Sequence, residues 1–157
     1  MIKSIEIYDM DGTLVDSSHR YRLLKDKQKI DLEYWRKNDI PEKIAKDSLL
    51  PLAIQYKNSI ANPEIYVIIA TARVIKQADI DYIEKYLGMP NKLIGRKSIN
   101  DTRKGADLKI QGLQYLNNLK QFKNVVKHFF EDNIDYLEKV CYSIHAVPHY
   151  IESNQGY

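Results

Sequence analysis

Ile65-Tyr66-Val67-Ile68-Ile69-Ala70 is an unbroken apolar run that follows Asn62-Pro63 and ends at Thr71. A strand with one wet face alternates polar and apolar residues. A continuous run of this length reads as a strand covered on both faces, which points to a parallel sheet between two helical layers. Other segments fit that frame. Ile2 to Tyr8 reads as the first strand, Lys92 to Gly95 as a short third, Val125 to Phe130 as the fourth and Ser143 to Val147 as the last. Helical segments lie between them. Ser17 or Ser18 caps a helix through Arg20 toward Ile30. A polar, Trp-containing stretch from Asp31 to Asp39 follows. Pro41 opens a second helix that Pro51 breaks or kinks. The helix after Thr71 runs to Leu87 and stops at Gly88, with Pro90 just beyond. Further helices cover Asp107 to Leu119 and Asn133 to Val140. Strands alternating with helices give an α/β fold, a doubly wound and mostly parallel Rossmann-like sheet.

The 157 residues suit one domain, 1–157, with a sizeable core. Within it, residues 14–64 form a small helical insertion, and the tail from Glu152 to Tyr157 is expected to fray. A net charge of +3 is too small to drive strong nonspecific nucleic-acid binding. The single cysteine, Cys141, cannot form an internal disulfide, so a reducing, cytoplasmic setting is expected, with Cys141 in the core. No leader is expected ahead of the first strand, and no apolar run reaches the length of a membrane span. Abundant Ile, Lys, Asn and Tyr would suit the AT-rich genome of a phage.

The chemistry is concentrated in Asp9-Met10-Asp11-Gly12-Thr13, at the end of the first strand. Two carboxylates two residues apart, before a glycine turn, form a phosphoryl-transfer arrangement: one attacks phosphorus and the other carries the proton. In an open α/β sheet, functional groups collect at the carboxyl ends of the strands. Those ends supply Asp9 and Asp11, then Thr71 and Arg73, then Glu131 and Asp132, with Lys104 opening the helix after the third strand. Carboxylates, a hydroxyl and cations in this combination would hold a phosphate and a hard divalent cation.

Four segments in order resemble the motifs of the haloacid dehalogenase-like (HAD) phosphohydrolase superfamily: Asp9-Met10-Asp11-Gly12-Thr13, Ile69-Ala70-Thr71-Ala72-Arg73, Lys104, and Phe129-Phe130-Glu131-Asp132. The resemblance implies a Mg²⁺-dependent phosphatase. Asp9 would be the nucleophile and Asp11 the general acid and base. Thr71 would hydrogen-bond a phosphate oxygen, helped by N–H groups of the next helix, and Lys104 would neutralise charge. Asp9, Asp11 through its backbone carbonyl, and Asp132 would hold the metal, with Glu131 reaching it directly or through water. A narrower resemblance, in Thr71-Ala72-Arg73, Asp101-Thr102-Arg103-Lys104 and Arg20, is to the phosphatase half of phage polynucleotide kinase–phosphatase. It makes Arg20, Arg73 and Thr13 substrate contacts. The kinase half is missing, because the chain has no Gly-x-x-x-x-Gly-Lys-Ser/Thr stretch. The expected substrate is a phosphorylated nucleotide or nucleic-acid end, with a 3′-phosphate first. The alternatives are a 5′(3′)-deoxyribonucleotidase acting on mononucleotides and a non-catalytic phosphate-binding module. Tyr21, Tyr34 and Trp35 are possible base-stacking groups.

Overall fold

The computed structural model describes residues 1–24 and 29–153. Five strands form one parallel sheet: β1 (Ser4–Tyr8), β4 (Ile65–Val74), β5 (Lys92–Arg96), β6 (Val126–Glu131) and β7 (Val147–Tyr150). Their order is β5-β4-β1-β6-β7. The chain leaves central β1 toward β4 and β5, then returns to its other side for β6 and β7. The carboxyl end of β1 therefore sits where the direction of winding reverses, the usual place for a ligand in such sheets.

The doubly covered reading of the apolar run holds in detail. Val67 and Ile69 enter one core with Tyr8, Met10, Tyr56, Ile83 and Phe130. Ile68 and Ala70 enter the opposite core with Ile5, Ile7, Phe129, Leu113 and Val140. The second core is closed by α5 (Gly105–Leu113), α6 (Tyr115–Asn118) and α7 (Ile134–Ile144). Along α7, Leu137, Val140, Cys141 and Ile144 are buried at helical spacing, and Asn133 caps the start by accepting from the Tyr136 N–H at 3.1 Å.

The first core is closed by α4 (Gln77–Tyr82), by the wider turn at Ile83–Leu87 that continues it, and by α3 (Ala53–Ile60) from the insertion. Gly88 ends the Ile83–Leu87 turn at φ 91°, a conformation that suits glycine. Because Ala53 and Tyr56 are buried here, the insertion contributes to the core. The break at Pro51 is real: α2 (Pro41–Ile44) and α3 are separated by β3 (Ser48–Leu49), which pairs antiparallel with β2 (Val15–Asp16).

Four expectations need correction. The helix from Ser17 toward Ile30 reduces to a single turn at Ser18–Arg20, because the Asp16 carboxylate ties down the N–H and hydroxyl of Ser18. Leu23 and Ile30 then meet in an antiparallel bridge, and residues 25–28 lie outside the described residues. The polar stretch contains α1 (Leu32–Asn38), capped by Asp31 accepting from the Tyr34 N–H. The strand through the apolar run extends to Val74, so Thr71 lies inside it rather than at a helix start. The last strand begins at Val147, because α7 continues to Ile144 and stops at His145, which adopts φ 58°. Of the expected frayed tail, residues 154–157 lie outside the described residues.

Candidate active site

The ends of β1, β4 and β6 converge on Asp9. The backbone N–H of Asp9 bonds the carbonyl of Phe130, which fixes the start of the loop after β1 against β6. One Asp9 oxygen accepts from the Thr13 hydroxyl at 3.1 Å and the other from the Lys109 ammonium at 2.9 Å. Lys109 also donates to Glu131 at 2.7 Å. Gly12 makes the turn at φ 79°, and a side chain there would collide with the Asp132 carboxylate. Asp132 in turn accepts from the Ser153 hydroxyl at 2.9 Å.

Lys109, not Lys104, is thus the cation that the structure places on Asp9. Lys104 is exposed at the cap of α5, one residue before the helix begins. Lys109 is almost wholly buried on the same helix. It lies four residues after Gly105 and four before Leu113, so all three share the face turned to the sheet. Burial alone would push its ammonium toward neutrality, but the charges of Asp9 and Glu131 outweigh this and hold it well above the usual lysine range.

Asp9, Glu131 and Asp132 present oxygens within 4.8 Å of one another, a group able to hold a cation among the described residues. All three side chains are buried, and among the described residues Lys109 is the cation that pairs with them, through Asp9 and Glu131. Burial and the neighbouring Asp9 charge raise Glu131 well above the carboxylate range and push Asp132 up to about 7. An all-oxygen, negatively charged pocket of this kind fits Mg²⁺. The Asp11 carboxylate is not part of it. Glu131 is also engaged elsewhere: one oxygen faces Lys109 and the other accepts from the N–H groups of Asp132 and Asn133.

Asp11 belongs to a second, larger network. Arg73 reaches it in bidentate fashion, at 2.8 and 2.6 Å, and the Ser17 hydroxyl donates to it at 2.6 Å. Burial would raise the Asp11 carboxyl. Arg73, Ser17 and more distant Arg20 together hold it below the ordinary range, so it is ionised. Arg73 also bonds Asp79 and Asp47, each at 2.9 Å. Asp47 accepts two bonds from Arg20 at 2.9 Å and one from His19 at 2.8 Å, while Arg20 goes on to Asp39 at 3.1 Å. Arg20 lies 4.3 Å over the Trp35 ring.

Of the expected substrate contacts, Arg20 is fully buried and bonded to Asp39 and Asp47, and Arg73 is bound to three carboxylates, Asp11 among them. Thr71 accepts the Arg73 N–H at 3.1 Å within the strand. Thr13 orients Asp9. Trp35 and Tyr34 stack on Arg20 and Arg22, whereas the Tyr21 hydroxyl feels the charges of Asp16, Asp132 and Asp11. Asp47 was not singled out in the sequence. It reaches the network because Asp16 pairs with Ser48 across β2 and β3, which sets the next residue, Ser17, and the preceding one, Asp47, near each other.

Asp9, at the end of the central strand of a parallel sheet, is thus flanked by a buried lysine and an acidic pair. The fold is similar to that of solved haloacid dehalogenase-like (HAD) proteins. A haloacid dehalogenase-like hydrolase from Streptococcus pneumoniae superposes with TM-score 0.59 at 15% identity, covering 96% of this chain and 87% of its own. The HAD domain of effector protein Lem4 from Legionella pneumophila gives 0.60 at 14%, covering 99% and 88%. A chain of the Pnkp1/Rnl/Hen1 RNA repair complex gives 0.61 at 20%, covering 97% of this chain and 43% of that one. The model of the bacteriophage T5 5′-deoxynucleotidase family matches residues 1–102, and the chain belongs to that family. The 5′-deoxynucleotidase of Escherichia phage T5 is 32% identical over 89 residues, 54% of this chain. The chain spans 35% of the length of that relative. Among the described residues, no helix is long and apolar enough to cross a membrane.

Proposed function

We propose that the chain is a Mg²⁺-dependent phosphomonoesterase that acts through an aspartyl-phosphate. The observation that carries this reading is the setting of Asp9, held between Lys109 and Thr13 beside Glu131 and Asp132. A carboxylate oxygen of Asp9 bonds phosphorus as the ester P–O bond breaks, and Asp11 gives a proton to the leaving alkoxide. Water then attacks the acyl phosphate, Asp11 takes its proton, and inorganic phosphate leaves. Arg73 keeps Asp11 ionised for this base step. A phosphate monoester arriving as its monoanion brings the proton: like-charge repulsion raises Asp11, which takes that proton and passes it to the leaving alkoxide. Lys109 balances charge on Asp9 and on the phosphoryl oxygens as bond order shifts. Asp9 and Asp132 would hold Mg²⁺, which supplies electrostatic relief between the phosphate and the acidic set.

Family membership favours a deoxynucleoside 5′-monophosphate as substrate. A 3′-phosphorylated nucleotide or nucleic-acid end is the second reading, motivated by the resemblance of Thr71-Ala72-Arg73 and Asp101-Thr102-Arg103-Lys104 to the polynucleotide phosphatase motifs. The presence of every reacting group speaks for an enzyme over a phosphate-binding module.

A phosphatase panel with Mg²⁺ tests the proposal. Deoxynucleoside 5′-monophosphates should be cleaved faster than hexose phosphates, and chelation should stop the reaction. Full activity in excess EDTA would remove the metal from the account, and preference for 3′-phosphorylated oligonucleotides would promote the second reading. A further pair of variants separates the two lysines. Lys109→Ala should lower kcat by roughly a hundredfold or more, in the range seen when one electrostatic stabiliser is lost. Lys104→Ala should change it by less than about twofold, as expected of an exposed side chain. The reverse ranking in steady-state kinetics would restore Lys104 to the reaction.

A further inference from the structure

The loop that carries the nucleophile borders a second and larger hollow. Gly12 and Thr13 form one wall of a cavity of about 910 Å³ that continues over Leu50, Leu52 and Ile54 to the outer face of α3. That size lies within the roughly 300–1,000 Å³ common for small-molecule sites. Thr13 ties it to the chemistry, because the same residue donates its hydroxyl to Asp9. Two carboxamides, Gln55 and Asn58, also line it. Ile54 and Asn58 are one helical turn apart, so apolar surface and amide share one face. Gln55 is fixed in orientation. Its NH₂ donates to the Tyr8 hydroxyl at 2.9 Å, and that hydroxyl in turn donates to Glu6 at 2.6 Å.

Charge in this cavity is one-sided. Among the described residues its charged groups are Asp16 and Glu152, and neither lysine nor arginine lines it. A second phosphate entering here would meet two carboxylates and no cation. An uncharged group with flat apolar faces and a hydrogen-bonding edge would meet the wall that suits it.

We infer that this cavity receives the nucleoside of a mononucleotide substrate, with Gln55 and Asn58 on the base edge and Leu52 and Ile54 against its face. The inference rests on the phosphomonoesterase reading and narrows it. The leaving group is a single nucleoside, and an oligonucleotide with flanking phosphates is disfavoured by Asp16 and Glu152. A carboxamide presents both a donor and an acceptor, so each base edge finds a partner, and the site tolerates different bases.

The test has two parts. The full-length, nitrogen-labelled protein is titrated with thymidine and with deoxyadenosine, neither carrying phosphate. The side-chain amide resonances of Gln55 and Asn58 should shift with saturation, and amides that stay in place at saturating nucleoside would overturn the inference. In kinetics, the double variant Gln55→Ala, Asn58→Ala should lower the ratio of kcat/KM for a deoxynucleoside monophosphate to that for a small aryl phosphate. The expected drop is about three- to tenfold, the loss of one or two neutral hydrogen bonds. Ile54→Glu should lower the same ratio without touching the Gln55–Tyr8 bond, and an unchanged ratio in both variants would reject the site. Resonance shifts with nucleoside in a protein that cleaves no phosphate ester would support the cavity while refuting the phosphatase reading, so the two fail separately.

Discussion

Asp9→Asn should leave a folded protein that releases no phosphate. The amide retains the shape of the side chain and a hydrogen-bonding oxygen for Lys109 or Thr13. It is neither an anionic nucleophile nor a strong ligand for a hard cation. Phosphate release should fall to the level of the uncatalysed reaction while the denaturation profile stays cooperative. Asp11→Asn should rank behind it, at roughly two to four decades in kcat, because it removes proton transfer and leaves the attacking group in place. An Asp9→Asn protein with near-normal kcat would eliminate the covalent step and force a direct attack by water.

The second large effect is on stability. Asp47→Ala should destabilise the fold by about 3–5 kcal/mol, the range for removing one partner of a buried ion pair. Asp47 is fully buried and accepts hydrogen bonds from His19, Arg20 and Arg73. Its loss leaves two buried guanidinium groups short of an anion. Chemical denaturation measures the change. Arg20→Met on the Asp47→Ala background should recover part of the loss, because it removes one of the two uncompensated charges. A shift of less than about 1 kcal/mol for Asp47→Ala would mean that water replaces the carboxylate at small cost.

Much of the fold was legible because its signals are local. The run from Ile65 to Ala70 announced a doubly covered strand, and Val67 and Ile69 do face one core while Ile68 and Ala70 face the other. Asp9 and Asp132 were found at strand ends because the parallel sheet places functional groups there. Lys109 was missed for a specific reason. Lys104 stands at a helix start, where a phosphate-binding residue is expected, whereas Lys109 lies inside an apolar face. The signal was present: Lys109 falls at helical spacing between Gly105 and Leu113, and a charge on a buried stripe needs a partner. The tasks of Arg20 and Arg73 were not legible locally, because they depend on Asp47, which arrives through the pairing of β2 with β3. Side-chain partners separated by 26 or 27 residues leave no periodic trace in the sequence.

Trp35 is the only tryptophan in the chain, and it lies against Arg20, at the heart of the buried ionic cluster, rather than in either hydrophobic core. Indole emission is therefore a native optical gauge of one place. It responds to polarity and charge around Arg20, at a distance from the two hydrophobic cores that flank the sheet. The molecule thus carries its own optical label for the surroundings of Arg20, with no probe attached.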